Sequence, residues 1–129
     1  MSLIKRPMLA LTVTMLGLAA VLGGSLGLAA AHTSNLSAGF NLVGGPLAAD
    51  TEPDDFMSCL PSNSWTSIYI WDAANQKWQH FFNPANTPGY INSPQAGGIQ
   101  TIKRLAGVVV LTNQAVSNAN FKDSPSSSC

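Results

Sequence analysis

The stretch Trp65-Thr66-Ser67-Ile68-Tyr69-Ile70-Trp71-Asp72, then Ala73-Ala74-Asn75-Gln76, then Lys77-Trp78-Gln79-His80-Phe81-Phe82, decides the fold class of this chain. The first eight residues are aromatic and β-branched. They alternate Trp65, Ser67, Tyr69 and Trp71 on one side with Thr66, Ile68 and Ile70 on the other, which is the period of a strand. Lys77 to Phe82 reads as a second strand, and Ala73 to Gln76 between them has the length of a four-residue hairpin loop. That loop sets the register. Asp72 should oppose Lys77, Trp71 should oppose Trp78, Tyr69 should oppose His80 and Ile68 should oppose Phe81, so that aromatic rings gather on one side of the ribbon. A slip of one residue would scatter them.

Downstream, Leu105 to Thr112 holds Val108-Val109-Val110-Leu111, a continuous apolar run of the kind found in a central strand covered on both faces. Val116 to Phe121 reads as a last strand. Upstream, Phe40-Asn41-Leu42-Val43 reads as a first strand, closed by the turn signal Gly44-Gly45-Pro46. A short helix is expected from Glu52 to Cys59. Thr51 is suited to cap it, Pro53 to its first turn, and Glu52, Asp54 and Asp55 to its positive end, with Pro61 as the stop. The Pro, Gly and Asn content of 83–98 predicts an irregular connection with a short extended piece at Tyr90-Ile91. These elements add up to a mainly β fold, a small antiparallel β-sandwich or partly open barrel with one short helix. The β domain should span 39–121, after a flexible linker at 32–38 and before a Ser-rich tail, 122–129, that ends in Cys129.

The N-terminus reads as a targeting segment. Lys5 and Arg6 precede an uncharged run from Met8 to Ala31 that closes on Ala29-Ala30-Ala31, small residues suited to a signal-peptidase cut after Ala31. Positive charge ahead of the apolar run keeps the N-terminus in the cytoplasm, so the chain beyond the run crosses the membrane. The run is also long enough to span a bilayer at about 20 residues. Residues 1–31 are therefore expected to be a cleaved signal peptide, or an uncleaved anchor as the rival reading, and Gly17, Gly23, Gly24, Ser25 and Gly27 favour cleavage by weakening the helix. Either way the domain is expected outside a bacterial-type cell, secreted or at the surface. Any membrane contact would run through that leader.

An exported domain meets an oxidising compartment, and this chain has two cysteines, Cys59 and Cys129. One disulfide between them is the economical expectation. It would close a loop of about seventy residues and, on a chain-entropy model, stabilise the fold by roughly 4 kcal/mol.

Charge and chemistry narrow the function. Charged residues make up 9% of the 129-residue chain and the formal net charge is zero. A nucleic-acid surface needs clustered Lys and Arg, and beyond the leader the only adjacent basic pair is Lys103-Arg104, so nucleic acid is not expected as a partner. His80 is the one histidine inside the expected fold. No motif supplies it with a nucleophile or an orienting carboxylate, so no catalytic residue is assigned and an enzyme is not expected. Asp50, Glu52, Asp54 and Asp55 lack the spacing of a calcium loop, and no Cys or His spacing suits zinc, so no metal or cofactor is expected. Trp65, Tyr69, Trp71 and Trp78 permit a sharper idea, an aromatic platform on which sugar rings stack. The plainer reading makes the same rings the core.

The elements Gly39-Phe40-Asn41-Leu42-Val43-Gly44, Ile68-Tyr69-Ile70-Trp71-Asp72 with Gln76-Lys77-Trp78, and Gly107-Val108-Val109-Val110 occur in that order. They resemble an uncharacterised family of bacterial exported β-domains that begin G-[WF]-N-L-[VI] and carry a Y-x-W-D…Q-x-W hairpin. The likeness covers roughly 39–121. It implies a small β-sandwich or barrel module, in relatives often attached to larger cell-surface proteins, and it transfers no catalytic residue. Where such domains commonly have Gly-x-Gly-Tyr-Trp before the late strand, this chain has Leu105-Ala106-Gly107-Val108-Val109. The expected function is a non-enzymatic exported module that binds or associates at the cell exterior. Its partner would be an extracellular protein or a glycan, and a carbohydrate-binding module is the alternative.

Overall fold

A computed structural model describes residues 33–129, so the expected leader and its cut after Ala31 lie outside the described residues. Six strands carry the fold: β1 (Thr33–Leu36), β2 (Gly39–Gly44), β3 (Trp65–Asp72), β4 (Lys77–Phe82), β5 (Gly107–Thr112) and β6 (Val116–Asn120). One short helix, α1 (Pro53–Met57), sits between β2 and β3. The strands form two antiparallel sheets, a pair β1-β6 and a four-stranded sheet in the order β2-β5-β3-β4. The arrangement is mainly β and sandwich-like, with no closed barrel among the described residues.

The central hairpin has the expected register at every pair, from Asp72 opposite Lys77 to Ile68 opposite Phe81. Its loop is held by Asp72, whose carboxylate accepts the backbone N–H of Asn75 at 3.3 Å and the side-chain amide of Asn75 at 2.7 Å. Between Trp65 and Ser67, however, β3 makes two steps while β5 makes one, from Thr112 to Leu111. This bulge turns the chain over. Trp65, expected beside Tyr69 and Trp71, therefore lies on the opposite face, buried and stacked on Phe81 with ring centroids 6.5 Å apart.

The inner face of the four-stranded sheet is the core. Val43, Val108, Val110, Ile68 and Phe81 pack there with Phe56 and Met57 of α1, with Ile99 and Ile102, and with Leu36, Ala119 and Phe121 from the β1-β6 side. Pro53 opens α1 as expected, but Thr51 does not cap it. Its hydroxyl donates to the Ala49 carbonyl, and its backbone pairs with Ile102 in an isolated bridge. The 32–38 segment, expected as a flexible linker, contributes strand β1, and Thr33 pairs with Asn120 far along the chain. Tyr90-Ile91, expected to be extended, belongs to a 3₁₀ turn over Gly89–Asn92, with a second turn at Pro94–Ala96.

Those turns close the β4 edge of the sheet. Asn92 accepts the Phe82 N–H at 2.7 Å and donates to the Phe82 carbonyl at 2.8 Å, while His80 exchanges backbone hydrogen bonds with Gly97 and Ile99. The connection folds so tightly on itself that a Cβ at Gly98 would run into the Asn92 carbonyl. Cys59, just past α1, is bonded to Cys129 across a sequence separation of 70, which ties the Ser-rich tail to the helix. The Asp123 backbone carbonyl in that tail accepts the N–H groups of Ala48 and Ala49.

Candidate functional site: the open face of the four-stranded sheet

The outer face is built by alternation. On β2 it presents Phe40 and Leu42, on β5 Val109 and Leu111, on β3 Ser67, Tyr69 and Trp71, and on β4 Trp78, His80 and Phe82. Cross-strand pairing sets Phe40 beside Leu111, Leu42 beside Val109, Tyr69 between Val109 and His80, and Trp71 beside Trp78. Phe40 is 72% exposed, Leu42 78%, Trp71 45% and Trp78 56%. Apolar side chains this open are normal when single, but a contiguous set across a whole sheet face marks an interaction surface.

Among the described residues, no Lys, Arg, Asp or Glu stands on this face. Its hydroxyl and imidazole groups are also engaged. The Ser67 hydroxyl donates to the Tyr69 hydroxyl at 3.1 Å, and His80 Nε2 lies 2.8 Å from the Ile91 carbonyl. The rings are fixed against one another: Trp71 and Trp78 meet edge to face at 5.4 Å, while His80 and Phe82 at 5.0 Å and Phe40 and Tyr69 at 6.4 Å are tilted. A shallow depression of about 430 Å³ lies between Phe40 and Trp78, with Val109 and Tyr69 completing its lining.

The structure thus brings together Tyr69, Trp71 and Trp78 of the expected platform and removes Trp65 to the core. Phe40, Leu42, Val109 and Phe82 belong to the surface although nothing in their sequence context singles them out. The signal is present but ambiguous: alternating Phe40 and Leu42, and the unbroken Val108–Leu111 run, read equally as strands buried on both sides. Among the described residues, β5 is covered on one face, by residues packed against Val108 and Val110, while Val109 and Leu111 stay half-exposed on the other.

No family model, no curated protein and no solved structure matches this chain.

The remaining candidates are engaged elsewhere. Asp50 receives the Arg104 backbone N–H at 2.8 Å and the Lys103 ammonium at 3.1 Å, and these two hydrogen bonds, in that order, lower its pKa. Asp54 and Asp55 occupy the first turn of α1. Among the described residues, no group of three His, Cys, Asp or Glu side chains is placed to hold a metal ion.

Proposed function

We propose that this chain is an exported, non-enzymatic β module that acts by binding or structural association at the cell exterior, and that the outer face of its four-stranded sheet is the binding surface. The observation that carries this reading is the exposure of Phe40, Leu42, Trp71 and Trp78 on one uncharged face. A small domain with so few charges leaves an apolar surface open only at a cost in solubility, which a partner removes. The Cys59–Cys129 disulfide fits an oxidising compartment, as export requires.

The test is fractionation of the producing cell with wild type and with a Leu42→Thr/Trp78→Thr variant. The expected result is that wild type is recovered outside the cytoplasm, oxidised and partly held to the envelope or to another macromolecule, while the variant folds equally well but is released. Intact, reduced protein in the cytosol, or equal retention of the variant, would contradict the proposal.

A carbohydrate-binding module is the second reading. It is favoured by the exposed Trp71-Trp78 pair beside the Asn75-Gln76 loop. Against it, the Asn75 and Gln76 amides already donate to Asp72 and Ala73, and the two indoles stand at 65° to each other rather than forming one flat platform. Glycan-array binding abolished by Trp78→Ala would establish this reading in place of an apolar partner.

A further inference from the structure

Resting on that reading of the outer face, we propose that its partner is a second copy of this chain. Two four-stranded sheets would pack face to face across a two-fold axis.

Area is the first argument. With an aromatic side chain offering ~150–250 Å², the exposed parts of Phe40, Leu42, Trp71 and Trp78 together with the half-buried Tyr69, Phe82, Val109 and Leu111 give a face of roughly 600 Å². That is at the upper end of the ~300–600 Å² found for the largest apolar patch on a typical monomer. Doubled, it reaches the lower limit of the ~1,200–2,000 Å² buried by stable specific complexes.

Charge is the second. An isologous interface sets a surface against itself, so any net charge on it is doubled and repels. This face holds no Lys, Arg, Asp or Glu among the described residues, and its hydroxyl and imidazole groups have partners within the same copy. Self-apposition therefore brings no like charges together.

Shape is the third. In the order β2-β5-β3-β4, a two-fold axis parallel to the strands and midway between β5 and β3 lays β2 of one copy over β4 of the other. Phe40 and Leu42, the most open side chains of the face, then meet the Trp78, His80 and Phe82 row of the partner, and symmetry supplies the reverse contact. Such an axis keeps the strands of the two sheets nearly aligned, the geometry in which twisted sheets pack about 10 Å apart. It would also give the Val108–Leu111 run the cover on both faces that its composition implies.

The full chain is expressed behind its own leader and recovered from the compartment in which it accumulates. Sedimentation velocity is then run over about 1–100 µM, the range in which an interface of this size dissociates. Wild type is expected to convert from monomer to dimer across that range. Leu42→Thr and Trp78→Thr should each weaken association at least tenfold with an unchanged circular dichroism spectrum, while Asp54→Asn, exposed on α1 at the opposite face of the sheet, should leave it intact. As a geometric check that needs no loss of folding, Leu42→Cys mixed with His80→Cys should be joined into a heterodimer by a bifunctional thiol reagent long enough to bridge two sheets about 10 Å apart, a gap too wide for a direct disulfide. A monomer at every concentration, or a dimer indifferent to both face substitutions, overturns the proposal. Should that monomer still lose envelope or glycan binding on Trp78→Thr, the binding-face reading stands and only the identity of the partner falls.

Discussion

Ile68 and Tyr69 are neighbours on β3, yet one is fully buried in the core that includes Phe56 and Met57 of α1 while the other lies on a face that no described segment covers. The two faces of this sheet are almost equally apolar. What separates them is whether the chain supplies its own lid. On the inner side, Phe56 stacks on Phe121 at 4.9 Å, Ile99 and Ile102 fill the flank, and the Cys59–Cys129 bond fastens the tail across the helix. On the outer side no described segment plays that part. Composition therefore locates apolar strands but not their cover, and a face left without intramolecular cover is the place to look for an intermolecular one.

Unfastening the lid should disturb this contrast the most. Cys129→Ser is expected to lower stability by about 4 kcal/mol, the loop-closure value for some seventy residues, measured by urea denaturation. Ile68→Ala should cost about 3 kcal/mol through the cavity it leaves in the core. Its outward counterpart Leu42→Thr should change monomer stability by less than about 0.5 kcal/mol in the same assay at a concentration that keeps the protein monomeric. If the two faces responded alike, the division drawn between them would be wrong.

A gain is expected at Leu105, which adopts a left-handed φ of +64° while 61% exposed. Leu105→Asn keeps the turn and relieves that conformation, for an increase of up to about 1 kcal/mol in thermal or urea unfolding. Smallest is the acid response. The Asp72 carboxylate has its pKa lowered by the side-chain and backbone N–H groups of Asn75, so its hairpin contribution is fully present above the unfolded-state value and is lost as pH falls below it through the folded-state one. Asp72→Asn should therefore flatten the acid limb of a stability-pH curve by lowering stability in the neutral region, with little change at the acid end.

Much of this was legible in the residues, for identifiable reasons. The hairpin register could be read because period-two alternation and a four-residue loop leave one pairing that gathers the aromatics. The bulge that buries Trp65 could not, because alternation runs unbroken from 65 to 71 and the extra residue is imposed by β5 across the ladder. Strand β1 was hidden for a similar reason. Thr33–Leu36 is mostly polar, and its order comes from β6, including the Asn118 N–H donated to Asn35 at 2.9 Å. The cysteine pairing was legible from count alone. Of the surface, Tyr69, Trp71 and Trp78 were visible as aromatics, but Phe40, Leu42 and Val109 look in sequence like any core residues, since burial is decided by elements distant along the chain.

Hydroxyl-radical footprinting of the full chain, read by mass spectrometry as protein concentration is raised, reports the cover of each face residue by residue. Trp65 is expected to be protected at every concentration. Phe40, Trp71 and Trp78 should be reactive in dilute solution and become protected together as the copies associate. Trp71 and Trp78 protected from the start in a monomer, or reactive without change in a demonstrated dimer, would refute the claim that the outer face is open in one copy and covered by a second.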